Sequence, residues 1–577
     1  MPSSQLGPRE REQSLQRMAG ETFDILVIGG GVTGCGAALD AATRGLSVAL
    51  VEQRDFGSGT SSRSSKLFHG GLRYLEQFEF GLVREALREQ KLMLDTLCPH
   101  LTRPVSFAIP LSKGPWQRFY LGAGTLLYDL IGGRRALPRH RHLSARTVRD
   151  RFPALALPGL SGAIEYFDAQ MDDARHTLTL ARTAKQSGAC LASSVRQLDF
   201  IESGSRISGA RVQCLESGRA IDIRARQVVS ATGVWTDRIQ SQVGGGDVRV
   251  RAAKGIHVVV PRDRINADGG LVLRTAKSVL FVIPWKDHWI IGTTDTDWNL
   301  DLAHPAASRS DVDYLLRVIN EALAHPLTHD DIQGVYAGLR PLLYGEDDST
   351  SQLSREHAVS EPAAGLITIA GGKYTTYRVM ARDVVDAAAR HLGGKVPASR
   401  THRVPLLGAD GWDAAWNQRE ARSRQRGISL ERMERLLRRY GSGVDEIFEA
   451  IDRDPALGQP LDGAPAYLKA EVHHAVTHEG ALHLDDVLTR RTRISIEVFD
   501  RGLGAARPVA EIMGPLLGWS SEAVEREVEH YEARVQAERE SQRQPDDRTA
   551  DAARMGAPDV RTGSAHRPGS PQGAARG

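Results

Sequence analysis

The sequence predicts an α/β protein with a helical C-terminal part, and three observations support this class. Phe23 to Val51 has the pattern of a strand, a glycine turn, a helix and a second strand. Two more strands run into glycine turns far downstream, at residues 231–233 and 371–373. From about residue 411 to 538, helical periodicity dominates. Strand-to-turn junctions this far apart indicate one interrupted domain that wraps an extended ligand.

Length and composition limit the class of protein further. A chain of 577 residues is too long for one hydrophobic core, so two or three domains are expected. A net charge of +3 argues against a dedicated nucleic-acid binder. The four cysteines are scattered without CxxC pairs, which predicts a reducing compartment and no metal site. We find no signal peptide and no apolar run of the roughly 18 residues that a membrane span needs.

The strongest motif is the glycine-rich turn that follows the first strand. Gly29, Gly31 and Gly34 form GxGxxG, in which the glycines allow a tight turn, the approach of a pyrophosphate and close helix–strand packing. Glu52 ends the second strand, where a carboxylate can accept ribose hydroxyls. This turn predicts a dinucleotide-binding site, but it does not distinguish FAD from NAD. The later turns favour FAD, because a helix N-terminus with Lys373 would stabilise negative charge on a reduced flavin.

The stretch SSKLFHGGLRYL, Ser64 to Leu75, carries three basic side chains around a glycine pair. These are Lys66, His69 and Arg73, and Tyr74 follows them. A surface turn requires none of these residues, whereas an anion site would use most of them. The rest of the sequence decides between the two.

Seven motifs connect the chain to a known family. GGGVTGCG, TSSRSSKLFHGGLRYLE, ATGVW, KGIHVVVP, IPWKDHWIIGTTDTD, AGLRPL and GGKYTTYR occur in this order. Together they resemble the FAD-dependent, respiratory glycerol-3-phosphate dehydrogenase family, within the larger group of flavoproteins similar to D-amino-acid oxidase. The resemblance covers about Phe23 to Leu392 closely and the helical C-terminal part more loosely.

The resemblance implies a Rossmann-like FAD-binding domain interleaved with a β-rich α+β substrate domain, followed by a helical C-terminal domain. We expect the FAD-binding domain at 21–103, 165–247 and 341–395, the substrate domain at 104–164 and 248–340, and the helical domain at 396–538. The polar composition of residues 1–20 and 539–577 predicts two disordered extensions.

The resemblance also implies the residues of the site. The FAD-binding positions would be Gly29, Gly31, Gly34, Glu52, Thr60, Ser61, Ser64, Ser65, Lys66, His69, Gly71, Ala231, Gly233, Gly372, Lys373 and Thr375. The substrate pocket would contain Arg73, Tyr74, His257, Arg340, Arg355 and Lys373. Three of these, His257, Arg340 and Lys373, are the expected catalytic residues. Such a set suits a phosphomonoester, because arginine forks bind its oxygens in bidentate fashion.

The reaction implied is hydride removal from C2 of sn-glycerol 3-phosphate to flavin N5, which gives dihydroxyacetone phosphate, with the electrons passed to a membrane quinone. His257 is the first choice for the base because an imidazole titrates near neutral pH. Arg340 would hold the developing alkoxide or product carbonyl by its charge. Three alternatives stay open: an oxidase that uses oxygen, a flavoenzyme acting on another amine or hydroxy acid, and a non-catalytic flavin-binding protein.

Two further segments allow competing interpretations. HHAVTHE places His474 and His478 at i, i+4 spacing, but without HExxH order or a thiolate it predicts a solvated helix face. Trp116 to Arg141 is a surface hairpin, a core element or a peripheral membrane contact whose arginines meet anionic headgroups. A peripheral membrane contact and a quinone acceptor together predict that the protein lies on the cytoplasmic face of the inner membrane. The alternative location is the cytoplasm. A homodimer is the expected assembly.

Overall fold

The structure of the chain, a computed structural model, describes residues 3–112, 114–133, 137–275, 279–344 and 356–563. The strands are β1 (Thr22–Ile28), β2 (Val48–Val51), β3 (Leu67–Phe68), β4 (Thr102–Leu111), β5 (Arg141–Ser144), β6 (Gly162–Met171), β7 (Cys190–Ala192), β8 (Val195–Ser203), β9 (Arg206–Cys214), β10 (Ala220–Ser230), β11 (Val250–Pro261), β12 (Gly270–Arg274), β13 (Val279–Trp285), β14 (His288–Gly292), β15 (Thr296–Asp297), β16 (Gly334–Leu343), β17 (His357–Ala363), β18 (Leu366–Gly371), β19 (Pro460–Leu461) and β20 (Ala464–Leu468). The helices are α1 (Pro8–Gly20), α2 (Val32–Thr43), α3 (Phe80–Leu92), α4 (Gly114–Gly132), α5 (Ala145–Arg151), α6 (Asp173–Gln186), α7 (Thr236–Gln240), α8 (Arg309–Asn320), α9 (Tyr377–Ala389), α10 (Trp412–Asn417), α11 (Arg419–Arg426), α12 (Leu430–Tyr440), α13 (Asp445–Arg453), α14 (Lys469–Thr477), α15 (Leu484–Asp486), α16 (Ile494–Glu497), α17 (Leu503–Leu517), α18 (Ser521–Ser541), α19 (Asp547–Met555) and α20 (Val560–Gly563).

The first sheet has the strand order β17-β18-β10-β1-β2-β7, with β9 beside β10 and β8 beside β9. Its five strands from β18 to β7 are parallel. In β1, Ile25 and Val27 enter a core shared with α2, α6 and α9, whereas Leu26 and Ile28 enter the core on the opposite face. Burial on both faces explains why β1 is an almost continuous apolar run. Because β1, β10 and β18 are parallel, the glycine turns that follow them meet at one edge of the sheet.

The second sheet has the strand order β15-β11-β14-β13-β12-β4-β6-β3, with β16 beside β11 and β5 beside β6. Its pairs are antiparallel except for β12 with β4. In β11, Ile256, Val258 and Val260 face a core shared with α8. His257 therefore lies on the other face of the strand, because successive side chains alternate.

The helices α10 to α18 build the C-terminal part around two apolar cores of their own. The predicted α/β class with a helical C-terminal domain is confirmed. The proposed division into residue ranges stays a prediction. The predicted boundary at residue 165 falls inside β6. The range predicted for the FAD-binding domain also includes β3, which pairs with β6 in the second sheet.

The predicted disorder of the N-terminal extension is wrong for residues 8–20, which form α1. Leu15 and Met18, three residues apart on one helix face, are fully buried against strands of the first sheet. The polar composition of the segment concealed this pair, since two apolar residues at helical spacing are enough to dock a short helix onto one face of a sheet.

The predicted disorder of the tail is also wrong for residues 547–555 and 560–563, which form α19 and α20. Charge pairs attach these helices to the body of the protein. The Arg561 guanidinium lies 2.9 Å from an Asp486 carboxylate oxygen, and Lys254 Nζ pairs with Asp547 at the start of α19. The tail is poor in large apolar residues, and its composition did not reveal that ion pairs attach it to the rest of the protein. Residues 564–577 lie outside the described residues.

Within the described ranges, no helix combines the length and the apolar character that are needed to cross a membrane.

Candidate active site

The glycine turn after β1 requires each of its three glycines for a different reason. Gly29 has φ +110°, and a β-carbon there would lie 2.6 Å from the Ala231 carbonyl oxygen. At Gly34 a β-carbon would lie 1.9 Å from the carbonyl oxygen of Gly29, so α2 could not pack against the turn. At Gly31 an added β-carbon would meet only Ser61 Oγ, at 3.2 Å, on the side of an open cavity.

This cavity has a volume of about 510 Å³ and lies at the carboxyl ends of β1, β10 and β18. Nine of the predicted cofactor residues line it: Gly29, Gly31, Glu52, Thr60, Ser61, Ala231, Gly233, Gly372 and Lys373. Glu52 is buried, and its two carboxylate oxygens accept N–H groups from Gly30 at 2.7 Å and from Arg54 at 2.8 Å. Burial raises the pKa of Glu52, and the two N–H groups oppose this by favouring the carboxylate.

Ser64 and Lys66 bind a carboxylate instead of lining the cavity. The backbone N–H and hydroxyl of Ser64 donate to Asp173 Oδ2 at 2.9 and 2.8 Å. Lys66 Nζ lies 2.9 Å from Asp173 Oδ1, and both side chains are fully buried. These contacts hold the segment in shape, and the place of both residues along the cofactor stays a prediction.

His257 lies on β11 in a closely packed environment. Its Nε2 is 2.9 Å from Ser65 Oγ, and its ring stacks on Tyr336 with 4.7 Å between centroids. A β-carbon on Gly292 of the neighbouring strand would lie 2.3 Å from the imidazole. The buried Nδ1 has no hydrogen-bond partner in the described part of the chain. Burial, together with the charges of Arg340 and Lys66, lowers the pKa of His257 well below 6.5.

Arg340 lies on β16, beside the same stretch of β11. Its guanidinium donates to Asp295 Oδ1 and to Thr293 Oγ1, each at 3.2 Å. A β-carbon on Gly255 would lie 2.5 Å from Arg340 Nη2, so the absence of a side chain there makes room for the guanidinium. Because Gly255 and His257 are two residues apart on one strand, Arg340 and His257 share a face of the second sheet.

The remaining predicted residues form a second group around the turn after β18. Lys373 Nζ lies 3.5 Å from the centroid of the Tyr74 ring, which is a cation–π contact. Thr375 Oγ1 donates to the His69 carbonyl oxygen at 3.2 Å. Gly71 has φ +80° and lies against the Tyr74 ring. The side chain of Arg73 and the whole of Arg355 lie outside the described residues.

Sequence reasoning missed several partners of the catalytic candidates. Tyr336 stacks on His257, while Thr293 and Asp295 orient Arg340. Thr293 and Asp295 belong to the motif IPWKDHWIIGTTDTD, whose hydroxyl and carboxylate groups were a signal of polar contacts. Asp173 carried no signal of its own, because its partners lie far away in sequence.

The histidines of HHAVTHE do not form the predicted solvated face. His474 is fully buried, and its Nε2 lies 2.7 Å from Glu446 Oε2. Glu446, His474 and His478 offer ligand atoms within 4.8 Å of one another. Arg182 Nη2 also lies 3.1 and 2.9 Å from the two Glu446 oxygens, so this carboxylate already has a cationic partner.

Comparison with known proteins identifies the family. A profile described as FAD dependent oxidoreductase matches residues 24–386, and one described as the C-terminal domain of alpha-glycerophosphate oxidase matches residues 399–524. The chain is 55% identical to the glycerol-3-phosphate dehydrogenase of Mycobacterium leprae over 557 residues, which are 96% of this chain and 95% of that protein. The chain belongs to the FAD-dependent glycerol-3-phosphate dehydrogenase family. The resemblance inferred from the seven motifs is thereby confirmed.

Two more members of this family extend the comparison. The mitochondrial glycerol-3-phosphate dehydrogenase of Mus musculus is 36% identical over 546 residues, 90% of this chain and 74% of the mouse protein. The crystal structure of the Bacillus halodurans glycerol-3-phosphate dehydrogenase complexed with FAD has a TM-score of 0.76 at 28% identity, covering 92% of this chain and 98% of that one.

The cofactor of this family is FAD, and the residues of the cavity suit it. Gly31 leaves room for a pyrophosphate against the backbone, at the N-terminus of α2. Glu52 keeps lone pairs that can accept ribose hydroxyls. Lys373 lies beside the turn after β18 and lines the same cavity, where it would hold negative charge on a flavin ring.

Replacing Gly31 with Leu should give folded apoprotein, because the side chain would occupy the space that the pyrophosphate needs. The measurement is the ratio of flavin to protein absorbance after gel filtration. Gly81→Leu, at an exposed position with nothing within 4 Å of an added β-carbon, is the matched control and should retain FAD. Full flavin content in Gly31→Leu would show that the pyrophosphate does not approach here.

Proposed function

We propose that the chain catalyses the FAD-dependent oxidation of sn-glycerol 3-phosphate to dihydroxyacetone phosphate and passes the electrons to a membrane quinone. The observation that carries this proposal is the 55% identity, over 96% of the chain, to a protein named glycerol-3-phosphate dehydrogenase. His257 and Arg340 support it, since a proton acceptor and a positive charge share one face of the second sheet.

His257 is the proposed acceptor of the C2 hydroxyl proton. Its depressed pKa keeps the imidazole neutral near pH 7, which is the form that can take up a proton. The hydrogen bond to Ser65 Oγ and the stacking on Tyr336 hold the ring in one orientation. A base that is already oriented before the substrate binds loses little entropy in the reaction.

Arg340 is the proposed partner of the negative charge on the substrate oxygen. Asp295 and Thr293 orient its guanidinium, so the charge is in place before the reaction begins. Lys373 would add positive charge from the turn after β18. Arg73 and Arg355 stay predicted phosphate ligands on the strength of the motifs alone.

When it is bound, FAD supplies the two-electron acceptor for this chemistry. The final acceptor is proposed to be a quinone. An oxidase that uses oxygen is the second candidate, because residues 399–524 match a domain described from alpha-glycerophosphate oxidase. Peroxide formed in an aerobic assay distinguishes the two.

The substrate is tested by anaerobic titration of the purified holoenzyme while the flavin absorbance is recorded. Glycerol 3-phosphate should bleach the flavin, whereas glycerol at the same concentration should leave it oxidised, because it lacks the charge that the basic groups bind. Equal bleaching by both compounds would refute phosphate recognition. Bleaching by neither, with dithionite as the positive control, would refute the proposed function.

His257→Gln should slow flavin reduction by about 10²–10⁴-fold while FAD stays bound. In the wild type, kcat/KM should fall as acid protonates His257. Because burial, Arg340 and Lys66 lower the pKa of this imidazole, that limb should lie below pH 6.5, not near neutrality as first expected. The limb should be missing in His257→Gln and present in the control His329→Gln, whose imidazole is exposed. An unchanged reduction rate would assign the proton to another group.

An exposed apolar patch supports the proposed peripheral membrane contact. In α4, Leu121, Thr125 and Tyr128 face the protein, while the opposite side exposes apolar side chains. With two neighbouring phenylalanines they form the apolar patch: Phe78, Phe80, Trp116, Phe119, Tyr120, Leu126, Leu127 and Leu130. Several exposed large apolar side chains on one helix face mark an interaction surface. Arg118 is not part of it, because its guanidinium donates to the Leu143 and Ser161 carbonyls at 3.2 and 3.1 Å. Of the other predicted headgroup ligands, Arg134 and Arg135 lie outside the described residues, and Arg139 is exposed.

The combined variant Trp116→Ser, Phe119→Ser, Leu130→Ser should lose binding to anionic vesicles and quinone reduction, because these side chains are 74, 65 and 68% exposed and would insert into the interface. Turnover with a soluble dye should persist. The control is Phe499→Ser, at an exposed phenylalanine of the C-terminal part. Unchanged vesicle binding would contradict the assignment, and a shift from dimer to monomer in gel filtration would identify the patch as a subunit interface.

A further inference from the structure

A second cavity, of about 90 Å³, lies between the segment that borders the FAD cavity and the C-terminal helices. Ser62, Arg63 and Lys66 line it on one side. Helices α18 and α19 contribute Arg534 and Arg554 on the other. None of His257, Arg340 and Lys373 lines it, so it is separate from the site proposed for the substrate.

The lining of this cavity is strongly basic. Six arginines and Lys66 contribute positive charge, against the acidic side chains of Asp485 and Glu538. Four of the seven cations have carboxylate partners. Lys66 and Arg493 pair with Asp173, and Arg490 and Arg534 pair with Asp485.

The other three cations, Arg63, Arg501 and Arg554, have only neutral partners in the described part of the chain. Arg63 Nη1 donates to the Ala303 carbonyl at 3.4 Å, and Arg554 Nη1 to that of Ala557 at 3.3 Å. Arg501 Nη2 donates to Gln542 Oε1 at 3.4 Å. Among the described residues, none of the three has a carboxylate oxygen within the 4.0 Å of an ion pair.

Two of these arginines are deeply buried. Arg501 is 5% exposed and Arg554 is 2% exposed. Arg501 Nη1 has no hydrogen-bond partner at all in the described part of the chain. The Tyr531 hydroxyl, which also lines the cavity, donates to the backbone carbonyl oxygen of Arg501 at 2.7 Å.

Burying a charge without an ion-pair partner is costly, and the lowered pKa values of these arginines reflect that cost, although nearby carboxylates such as Glu538 oppose the shift. Burial lowers the pKa of Arg63 to about 9 and that of Arg501 and Arg554 to about 10. All three stay charged near pH 7. An anion in the cavity would add negative charge to that of Asp485 and Glu538, which six arginines and Lys66 outnumber.

We propose that this cavity is a second anion site, which binds a phosphate-sized tetrahedral oxyanion between Arg63, Arg501 and Arg554. Its volume of about 90 Å³ is more than the roughly 10–15 Å³ that one water molecule needs, so a small oxyanion can be accommodated. Guanidinium groups bind such oxygens with paired N–H donors.

Occupancy of this site should stabilise the flavin-bordering segment. Ser58 to Ser61 line the FAD cavity, and Ser62, Arg63 and Lys66 line the anion site, so one continuous segment borders both. A ligand that binds only the folded protein raises its stability in proportion to the logarithm of ligand concentration.

The test measures thermal unfolding of FAD-loaded enzyme with increasing inorganic phosphate, at an ionic strength kept constant with chloride. The Tm of the wild type should rise with the logarithm of phosphate concentration once that concentration exceeds Kd. In Arg501→Gln, Arg554→Gln the apparent affinity for phosphate should fall by at least about 30-fold, as expected when charged partners of a buried anion are removed. Without phosphate this variant should be at least as stable as the wild type, because two unpaired buried charges are gone.

Two control variants separate this site from other effects. Arg340→Gln removes a charge from the proposed substrate pocket and should keep the phosphate-dependent rise in Tm. Arg507→Gln removes an exposed arginine, paired with Glu525, and should keep it too. Loss of the rise in Arg340→Gln alone would place the phosphate in the substrate pocket and overturn the proposal. An equal rise in Tm with chloride alone, or an equal phosphate-dependent rise in the variant Arg501→Gln, Arg554→Gln, would also overturn it.

A second measurement does not depend on the variants. Crystals of the wild-type holoenzyme soaked in selenate should show an anomalous peak within hydrogen-bonding distance of the Arg501 and Arg554 guanidinium groups. No peak there, at a selenate concentration that raises Tm, would overturn the proposal even if the double variant failed to fold.

Discussion

The buried carboxylate of Asp173 connects the three parts of the chain that build the site. It accepts hydrogen bonds from the Ser64 backbone and hydroxyl, lies 2.9 Å from Lys66 Nζ and contacts the Arg493 guanidinium. Taking a carboxylate out of water costs several kcal/mol, so its partners must stay in place for the fold to be stable. The segment of Ser64 and Lys66 is thereby fixed, and Ser65 between them can reach His257.

The positive charges around the site have two effects at once. Burial, Arg340 and Lys66 lower the pKa of His257, and the two cations would also favour the anionic substrate proposed above. If His257 is the base proposed above, the field that would attract the substrate also keeps this base neutral. Asp295 limits this field at Arg340, because it neutralises part of the guanidinium charge while orienting it.

Buried ion pairs join the C-terminal helices to the sheets. Asp55, just beyond β2, lies 2.5 Å from Arg490 and 2.6 Å from Arg491. Arg490 and Arg561 both pair with Asp486, which connects the end of the described chain to this group. Breaking a buried pair costs about 3–5 kcal/mol, so these contacts give the domains a defined arrangement even though apolar packing supplies most of the stability. Composition alone predicted disorder for the tail because it does not register pairing between charges.

The sequence by itself determined the α/β class, the glycine turn and the FAD family, because each depends on residues close together in the chain. The spacing of Gly29, Gly31 and Gly34 follows from the local geometry of one strand, one turn and one helix. Only the tertiary structure decided that Lys66 binds Asp173, that α1 docks on the first sheet and that His257 is buried beside Arg340. Burial and long-range pairing set the charge and partners of a side chain, and neither can be read from its neighbours in sequence.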